Sequence, residues 1–218
     1  MTTAPLSLEH IIKPSTLSAN IPVLFMLHGY GSNEEDLFSF ASELPEELCI
    51  ISVRAPYDLP PSGYAWYAIH YDSPDGKWSD DKQAILSRDR VVTFIDEACL
   101  AYGLDADNVT LLGFSQGTIL SYAVALSYPE KVKNVVGLSG YMNTGIFLSK
   151  KENTAYDHLN IYNSHGTVDQ VIPLDWAEKT PKILADYGIK SILETYPVGH
   201  GVAPQNFYSF RDWLKEKI

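Results

Sequence analysis

Five short stretches of this chain are almost continuously apolar, and they constrain its fold more than any other feature. A strand with one face in water alternates apolar and polar residues, whereas an unbroken run of Val, Ile and Leu needs cover on both faces. Such runs are typical of a parallel sheet with helices packed on either side. They predict strands over residues 21–28, 49–53, 108–114, 134–140 and 159–166, and a stretch that alternates more, 190–197, is predicted as the last strand.

Helical patterns lie between these strands. Ser79 is interpreted as the N-cap of the first helix, because Asp80 and Asp81 then fall in its first turn, where the helix dipole favours them. Pro181 should kink the third helix. Strand and helix in alternation predict a doubly wound α/β fold in a single domain over residues 1–218. The predicted helices are 79–102, 116–128, 174–187 and 204–217.

One segment does not fit this alternation. Residues 56–78, "PYDLPPSGYAWYAIHYDSPDGKW", are rich in Pro, Gly and aromatic residues. We interpret them as a long ordered loop, and long loops in compact domains are often functional lids.

Composition and charge exclude several classes of function. The formal net charge is −11, and such an acidic surface repels the phosphate backbone of nucleic acids. Cys49 and Cys99 are interpreted as packed free thiols, and no cluster of Cys and His has the spacing of a zinc site. The first residues lack a basic and then continuously apolar signal-peptide pattern, and no apolar run is long enough to span a membrane. We therefore expect a cytoplasmic protein, without metal or cofactor, whose edge strands allow a homodimer.

The sequence Gly113-Phe114-Ser115-Gln116-Gly117 follows a predicted strand and precedes a predicted helix. This is the context of a nucleophile elbow, in which a serine sits on a tight, strained turn above the edge of the sheet. Its neighbours two positions away must be small so that strand and helix can pack closely. Because short motifs of this kind arise by chance, Ser115 needs a base and an orienting acid before it counts as a nucleophile.

His200 is the favoured base, because a catalytic histidine needs a mobile, accessible loop and Gly199 and Gly201 flank it. His28 and His165 each end a core strand, and we interpret them as structural residues that satisfy backbone groups of the loops. The remaining histidines have no helpful context: His10, His70 and His158.

Asp169 is the favoured acid. In α/β hydrolases the chain order is Ser, then Asp or Glu, then His, with the acid on a loop after a strand. Asp169 follows the strand 159–166, whereas Asp157 precedes it, Asp175 begins a helix and Glu194 lies inside a strand.

An oxyanion hole needs two backbone N–H groups, one after the nucleophile and one from the loop after an earlier strand. The sequence "LHGYGS" at 27–32 supplies that loop, so we expect the amides of Tyr30 and Gln116 to be the donors. Residues 56–78, the aromatic segment, are expected to line the pocket through Trp66, Tyr67 and Ile69. These side chains equally suit anchoring of the segment to the core. Met142 and Val171 are added to the pocket because each lies just past a strand end.

Taken together, "LHGYGSNEEDL", "GFSQGT", "SHGTVDQVIP" and "GHG" resemble the carboxylesterase/phospholipase group of α/β hydrolases, which includes the acyl-protein thioesterases. The resemblance covers the chain from about residue 20 to its end. It implies an α/β-hydrolase fold with a mostly parallel sheet and no cap domain, no cofactor, and a Ser115–Asp169–His200 triad. The thioesterase members usually have an aliphatic residue where Tyr30 stands, and their acyl-binding loop differs from residues 62–80.

The sequence therefore predicts a serine carboxylesterase that cleaves short- to medium-chain esters through an acyl-enzyme on Ser115. A lysophospholipase or an acyl-protein thioesterase is the alternative within this class. A hydrolase-fold protein that binds without turnover is the alternative of another class.

Overall fold

A seven-stranded sheet organises the protein, seen here in a computed structural model that describes residues 6–73 and 76–218, without the side chains of 71–78. The strands are β1 (His10–Lys13), β2 (Val23–Leu27), β3 (Cys49–Val53), β4 (Tyr57–Leu59), β5 (Gly63–Ala65), β6 (Ile69–Ser73), β7 (Gly76–Ser79), β8 (Val109–Phe114), β9 (Asn134–Leu138), β10 (Asn160–Gly166) and β11 (Leu193–Tyr196). The α-helices are α1 (Glu35–Phe38), α2 (Asp81–Tyr102), α3 (Gln116–Ser127), α4 (Leu174–Ala177), α5 (Thr180–Asp186) and α6 (Pro204–Lys215).

The strand order in the main sheet is β1-β3-β2-β8-β9-β10-β11, and only β1 runs antiparallel to its neighbour. Each strand predicted from an apolar run is therefore present and parallel. The carboxyl ends of β2, β8 and β9 lie side by side, since Leu27 pairs with Gly113 and Gly113 with Gly137. Loops that leave these strands meet at one edge, where ligands bind in open α/β sheets.

Both faces of the sheet are buried, as the apolar runs require. On β2, Val23, Phe25 and Leu27 belong to one hydrophobic core, and Leu24 and Met26 belong to the other. The first core also contains residues of α2 and α3, and the second contains residues of α1 and α6. Because side chains alternate across a strand, this arrangement puts helices on both faces of the sheet and confirms the predicted α/β-hydrolase architecture.

Four local predictions need correction. The first helix is capped by Asp80, whose side chain accepts the Gln83 amide at 3.0 Å, and not by Ser79, whose hydroxyl points to Asp81 at 3.3 Å. Residues 174–187 form two helices, α4 and α5, instead of one kinked helix, because Pro181 lacks an N–H and fits only a first turn. The antiparallel edge strand β1 was not predicted.

The fourth correction concerns residues 56–78, of which 74–75 lie outside the described residues. This segment is not a simple loop but contains two antiparallel pairs, β4 with β5 and β6 with β7. Their strands are short and interrupted by Pro and Gly, which hides the strand pattern in the sequence. The first pair is joined to the loop after β2, where the Gly31 amide donates to the Tyr64 carbonyl and the Tyr64 amide to the Ser32 carbonyl. The aromatic segment is thus fastened beside the edge of the sheet.

Candidate active site

Ser115 occupies a strained turn between β8 and α3. Its φ of 54° and ψ of −115° lie in a region that non-glycine residues rarely adopt. A Cβ atom on Gly117 would lie 1.9 Å from the carbonyl oxygen of Leu27, and one on Gly113 would lie 2.4 Å from the Thr118 nitrogen. The two glycines therefore allow α3 to cross β8 and β2 closely enough to hold the serine in this turn.

His200 and Asp169 complete a hydrogen-bonded row with Ser115. The His200 Nε2 atom lies 2.9 Å from Ser115 Oγ, and its Nδ1 atom lies 2.7 Å from Asp169 Oδ2. A carboxylate can only accept, so Nδ1 donates to Asp169 and leaves Nε2 to accept the serine proton. The structure thus joins three residues that are 85 and 31 positions apart along the chain.

The carboxylate of Asp169 is held as an anion. Its Oδ1 atom accepts the amides of Val171 at 2.8 Å and Ile172 at 3.0 Å. Burial alone would raise the pKa of Asp169, but the hydrogen bonds from His200 and from these amides outweigh it and keep the pKa below its ordinary value. The loop after β10 therefore supplies both the acid and the amides that orient it.

The other candidate acids lie elsewhere. Glu194 is enclosed by hydroxyl groups, since its Oε2 atom accepts from Tyr162 at 2.5 Å, Tyr196 at 2.6 Å and Ser209 at 2.8 Å. Asp157 lies before β10, at the opposite end of the strand from Asp169, and Asp175 is in the first turn of α4.

His28 and His165 have the structural roles predicted from the sequence. The Nε2 atom of His28 accepts the Ala55 amide at 3.0 Å, so Nδ1 carries the proton and donates to the Gly29 carbonyl at 2.7 Å. Burial lowers the pKa of His28 and keeps the ring neutral. His165 is buried and its Nε2 donates to the Ile172 carbonyl at 2.9 Å, which braces the Asp169 loop.

A cavity of about 180 Å³ opens beside Ser115. Besides Ser115 and His200, five residues that the sequence analysis expects at the site line this cavity. They are Tyr30, Tyr67, Ile69, Gln116 and Val171. The other described residues that line it are Ser79, Ile119, Tyr141, Ile172 and Trp176.

Two predicted pocket residues are absent from the described lining. Trp66 is 0% exposed, and its ring nitrogen donates to the His28 carbonyl at 3.0 Å. Because its one polar group is satisfied inside the core, Trp66 anchors the aromatic segment instead of facing a substrate. Met142 lines a separate cavity, and Tyr141 and Trp176 are the described residues that line both cavities.

The chain matches a known protein family over almost its whole length. A family model described as Phospholipase/Carboxylesterase matches residues 8–218. The chain belongs to the phospholipase/carboxylesterase family. This family member is therefore an ester hydrolase of the α/β-hydrolase fold.

Named relatives of this phospholipase/carboxylesterase chain fall into two groups. An "Acyl-protein thioesterase 1" of Cryptococcus neoformans is 25% identical, with 98% of this chain and 99% of the relative covered. A "Probable carboxylesterase" of Oryza sativa subsp. japonica is 27% identical over 71% of this chain and 58% of its own length. The solved structure of the Bacillus cereus carboxylesterase superposes with a TM-score of 0.82 at 20% identity, covering 97% of this chain and 95% of that one.

Sequence reasoning missed the side chain of Gln116. Its Oε1 atom accepts the Trp66 amide at 2.8 Å, and its Nε2 atom donates to the Tyr67 carbonyl at 2.8 Å. The residue after the serine therefore ties the aromatic segment to the start of α3. Gln116 is 2% exposed, and a buried polar side chain needs hydrogen-bond partners. A glutamine directly after the serine of an elbow was therefore the sequence signal for these two contacts.

The lining residues that were not predicted differ in how strongly the sequence indicates that they lie at the site. Ile119 lies four positions after Ser115, one helical turn along α3 and on the same side. Tyr141 and Trp176 form an edge-on aromatic pair with ring centres 4.9 Å apart. Tyr141 lies in the loop after β9 and Trp176 lies in α4, so no local pattern in the sequence brings them together.

Proposed function

We propose that this family member is a carboxylesterase that cleaves short- to medium-chain carboxylic esters through an acyl-enzyme on Ser115. The observation that carries the proposal is the row of Ser115, His200 and Asp169 at the mouth of a small cavity. In this mechanism His200 takes the proton of Ser115 as its oxygen attacks the ester carbonyl, and Asp169 stabilises the imidazolium.

The tetrahedral oxyanion is assigned to the backbone amides of Tyr30 and Gln116. Gln116 is the first residue of α3, where amides lack partners within the helix and the helix dipole favours negative charge. Tyr30 follows β2 and lines the same cavity. His200 then gives its proton to the departing alcohol, and water attacks the acyl-enzyme by the same route.

The size of the cavity supports a short or medium acyl group. An apolar cavity of about 150 Å³ holds one benzene molecule, so one slightly larger suits an acyl part of about six to eight heavy atoms. A long fatty acyl chain exceeds this space. The described lining is also largely aliphatic and aromatic, which suits a substrate bound mainly by apolar contact.

The decisive test combines labelling with turnover. We expect a fluorophosphonate probe to label the protein and 4-nitrophenyl butyrate to be hydrolysed, and expect both to be lost in Ser115→Ala. Ser139→Ala is the matched control, because Ser139 also has a positive φ, of 51°, at the end of the neighbouring strand β9. Unlabelled protein without turnover would support the non-catalytic alternative and overturn the proposal.

An acyl-protein thioesterase is the second candidate, because relatives with that name align over almost the whole chain. A series of esters and acyl thioesters of increasing chain length separates the two functions. We expect kcat/KM to peak at short or medium esters and to fall for long chains. A steep preference for long-chain acyl thioesters would identify the thioesterase instead.

Two further properties belong to this proposal, namely a cytoplasmic location and a homodimer through the edges of the sheet. Within residues 6–73 and 76–218, no helix is long and apolar enough to cross a membrane. Cell fractionation tests the location, and analytical ultracentrifugation tests the oligomeric state.

A further inference from the structure

A second histidine, His165, lies against the carboxylate of Asp169. Its Nε2 atom is 2.9 Å from the Ile172 carbonyl oxygen and 3.4 Å from Asp169 Oδ2, the same oxygen that His200 Nδ1 approaches to 2.7 Å. Among the described residues, these two histidines are the basic side chains within 4 Å of that carboxylate. Asp169 Oδ2 therefore has two imidazole rings beside it, one from β10 and one from the loop after β11.

The neighbours of His165 decide which of its nitrogens carries a proton. A carbonyl and a carboxylate can only accept, so Nε2 is protonated and donates to the Ile172 carbonyl. The positive end of this N–H lies beside Asp169 Oδ2. Both side chains are 0% exposed, so water does little to weaken the attraction between the N–H dipole and the charge. The N–H of His165 therefore stabilises the anion of Asp169 in addition to bracing its loop.

The other nitrogen of His165 indicates that this side chain does more than fill space. Its Nδ1 atom is buried and makes no hydrogen bond with the residues that the structure describes. A buried polar atom without a partner costs free energy, and an apolar side chain would avoid that cost. A histidine at this position is therefore explained by the contacts of its Nε2 atom.

We propose that His165 is a positioning residue of the reaction, whose Nε2–H keeps Asp169 Oδ2 in line with His200 and shares the charge of that oxygen. This inference rests on the esterase function proposed above and adds a residue to it. His165 is not among the described residues that line the cavity. We therefore expect it to act on kcat and to leave KM unchanged.

Two amide substitutions test whether the N–H is the group that matters. Glutamine can place its amide nitrogen near the position of Nε2, whereas the shorter asparagine reaches only the position of Nδ1. With 4-nitrophenyl butyrate we expect His165→Gln to keep kcat within about threefold of the wild type, and His165→Asn to lower it by about tenfold, because a lost buried hydrogen bond and a misplaced acid have effects of this order. His165→Leu lacks the N–H but fills more space, and as the second variant it should behave like His165→Asn.

The pH profile of kcat/KM gives a readout that is specific to the carboxylate. Its acid limb reports protonation of the essential base, here His200. Loss of the His165 N–H leaves more negative charge on Oδ2, which favours the protonated ring, so the limb of His165→Asn should move to higher pH by about half a pH unit. The other described ionisable side chains that line the cavity are tyrosines, which ordinarily titrate near about pH 10, far from this limb. They are Tyr30, Tyr67 and Tyr141.

The direction of the change separates this inference from a purely structural role. If His165 only held the loop, its loss would let Asp169 move away from His200, and the limb would move to lower pH. His158→Asn is the control, because His158 Nε2 also contacts a backbone carbonyl, that of Pro129 at 2.7 Å, at the opposite end of β10. We expect this control to keep the wild-type kcat and the wild-type acid limb.

The outcomes also distinguish this inference from the esterase function. An acid limb that stays in place or moves to lower pH in both His165→Asn and His165→Leu overturns the inference, as does an equal loss of kcat in His165→Gln and His165→Asn. In these cases the esterase function stands as long as Ser115→Ala abolishes turnover. If the wild type hydrolyses no ester and the fluorophosphonate probe does not label Ser115, the esterase function fails and this inference fails with it.

Discussion

At the scale of single residues, the roles in the candidate site follow from which groups can donate and which can only accept. Asp169 accepts from two amides and from His200, and this fixes the proton of the ring on the nitrogen that faces away from Ser115. The same rule places the proton of His28, which has a structural role. An amide donates to one nitrogen of its ring, so the other nitrogen carries the proton and donates. Neighbouring hydrogen bonds therefore decide which histidine is able to serve as a base.

Replacement of Asp169 by asparagine tests this logic. Asp169→Asn keeps the shape but allows the amide to donate to Nδ1, which leaves the proton on the nitrogen that faces Ser115. By the serine-protease template we expect kcat to fall by about 10⁴-fold. Hydrolysis of 4-nitrophenyl butyrate measures the loss, and Asp175→Asn, on the exposed first turn of α4, should retain full activity. A loss of less than about tenfold in Asp169→Asn would contradict the assigned role.

At the scale of secondary-structure elements, the close crossing of α3 over β8 and β2 depends on two glycines. Gly117→Ala places a methyl group 1.9 Å from the Leu27 carbonyl oxygen, so the helix must move away. Overpacking of this kind costs about 1–3 kcal/mol or more of the free energy of unfolding. Urea denaturation measures the change.

Gly201→Ala is the control for that substitution. A Cβ atom at Gly201 has no neighbour within 4 Å, and this glycine is not among those with a positive φ. We expect its free energy of unfolding to stay within about 0.5 kcal/mol of the wild type, as for surface substitutions generally. Equal destabilisation by both variants would show that the crossing does not need Gly117.

The hydrogen bonds between the Gln116 side chain of α3 and the aromatic segment are a second contact between secondary-structure elements. Gln116→Ala leaves the Trp66 amide and the Tyr67 carbonyl without their partner inside the protein. Each unsatisfied buried group costs about 1–3 kcal/mol, so we expect a clear loss of stability together with lower kcat/KM. Gln83→Ala is the matched control, because Gln83 accepts one partly buried amide, that of Ala68, and should have the smaller effect.

At the scale of the whole molecule, the protein places buried and partly buried carboxylates in hydrogen-bonded surroundings despite its net charge of −11. The hydrogen bond from Arg54 holds the pKa of Glu34 below its ordinary value. Burial alone would raise the pKa of Glu194, but the hydroxyl groups of Tyr162, Tyr196 and Ser209 outweigh it and lower the pKa. Asp169 behaves in the same way.

These shifts predict how stability depends on pH. A carboxyl group whose pKa is lower in the folded protein stabilises the fold above its unfolded pKa, and this contribution is lost as pH falls through the folded value. We therefore expect the urea midpoint to be steady near neutral pH and to drop below about pH 4. Glu34→Gln should be less stable than the wild type near neutral pH, and the difference should narrow in acid. A difference that stays constant down to pH 2 would contradict this assignment.

The sequence by itself determined the sheet, the order of its elements and the three residues of the hydrogen-bonded row. These features depend on local signals, namely apolar runs that need cover on both faces, and a serine, an acid and a histidine at strand ends in the α/β-hydrolase order. A single-domain organisation over residues 1–218 stays a prediction. The edge strand β1 was not predicted because "HIIK", with three half-buried residues and an exposed Ile12, is too short a pattern.

Only the tertiary structure decided the lining of the cavity. Trp66 and Tyr67 are adjacent aromatic residues buried in the same core, yet of the two only Tyr67 is among the described residues that line the cavity. Which of them lines the cavity depends on how the Gln116 side chain holds the backbone of that segment, and on the hydrogen bond from the Trp66 ring nitrogen to the His28 carbonyl. The Tyr141–Trp176 pair likewise joins the loop after β9 to α4. Such contacts arise from packing between distant parts of the chain, whereas the row at Ser115 follows from where strands end.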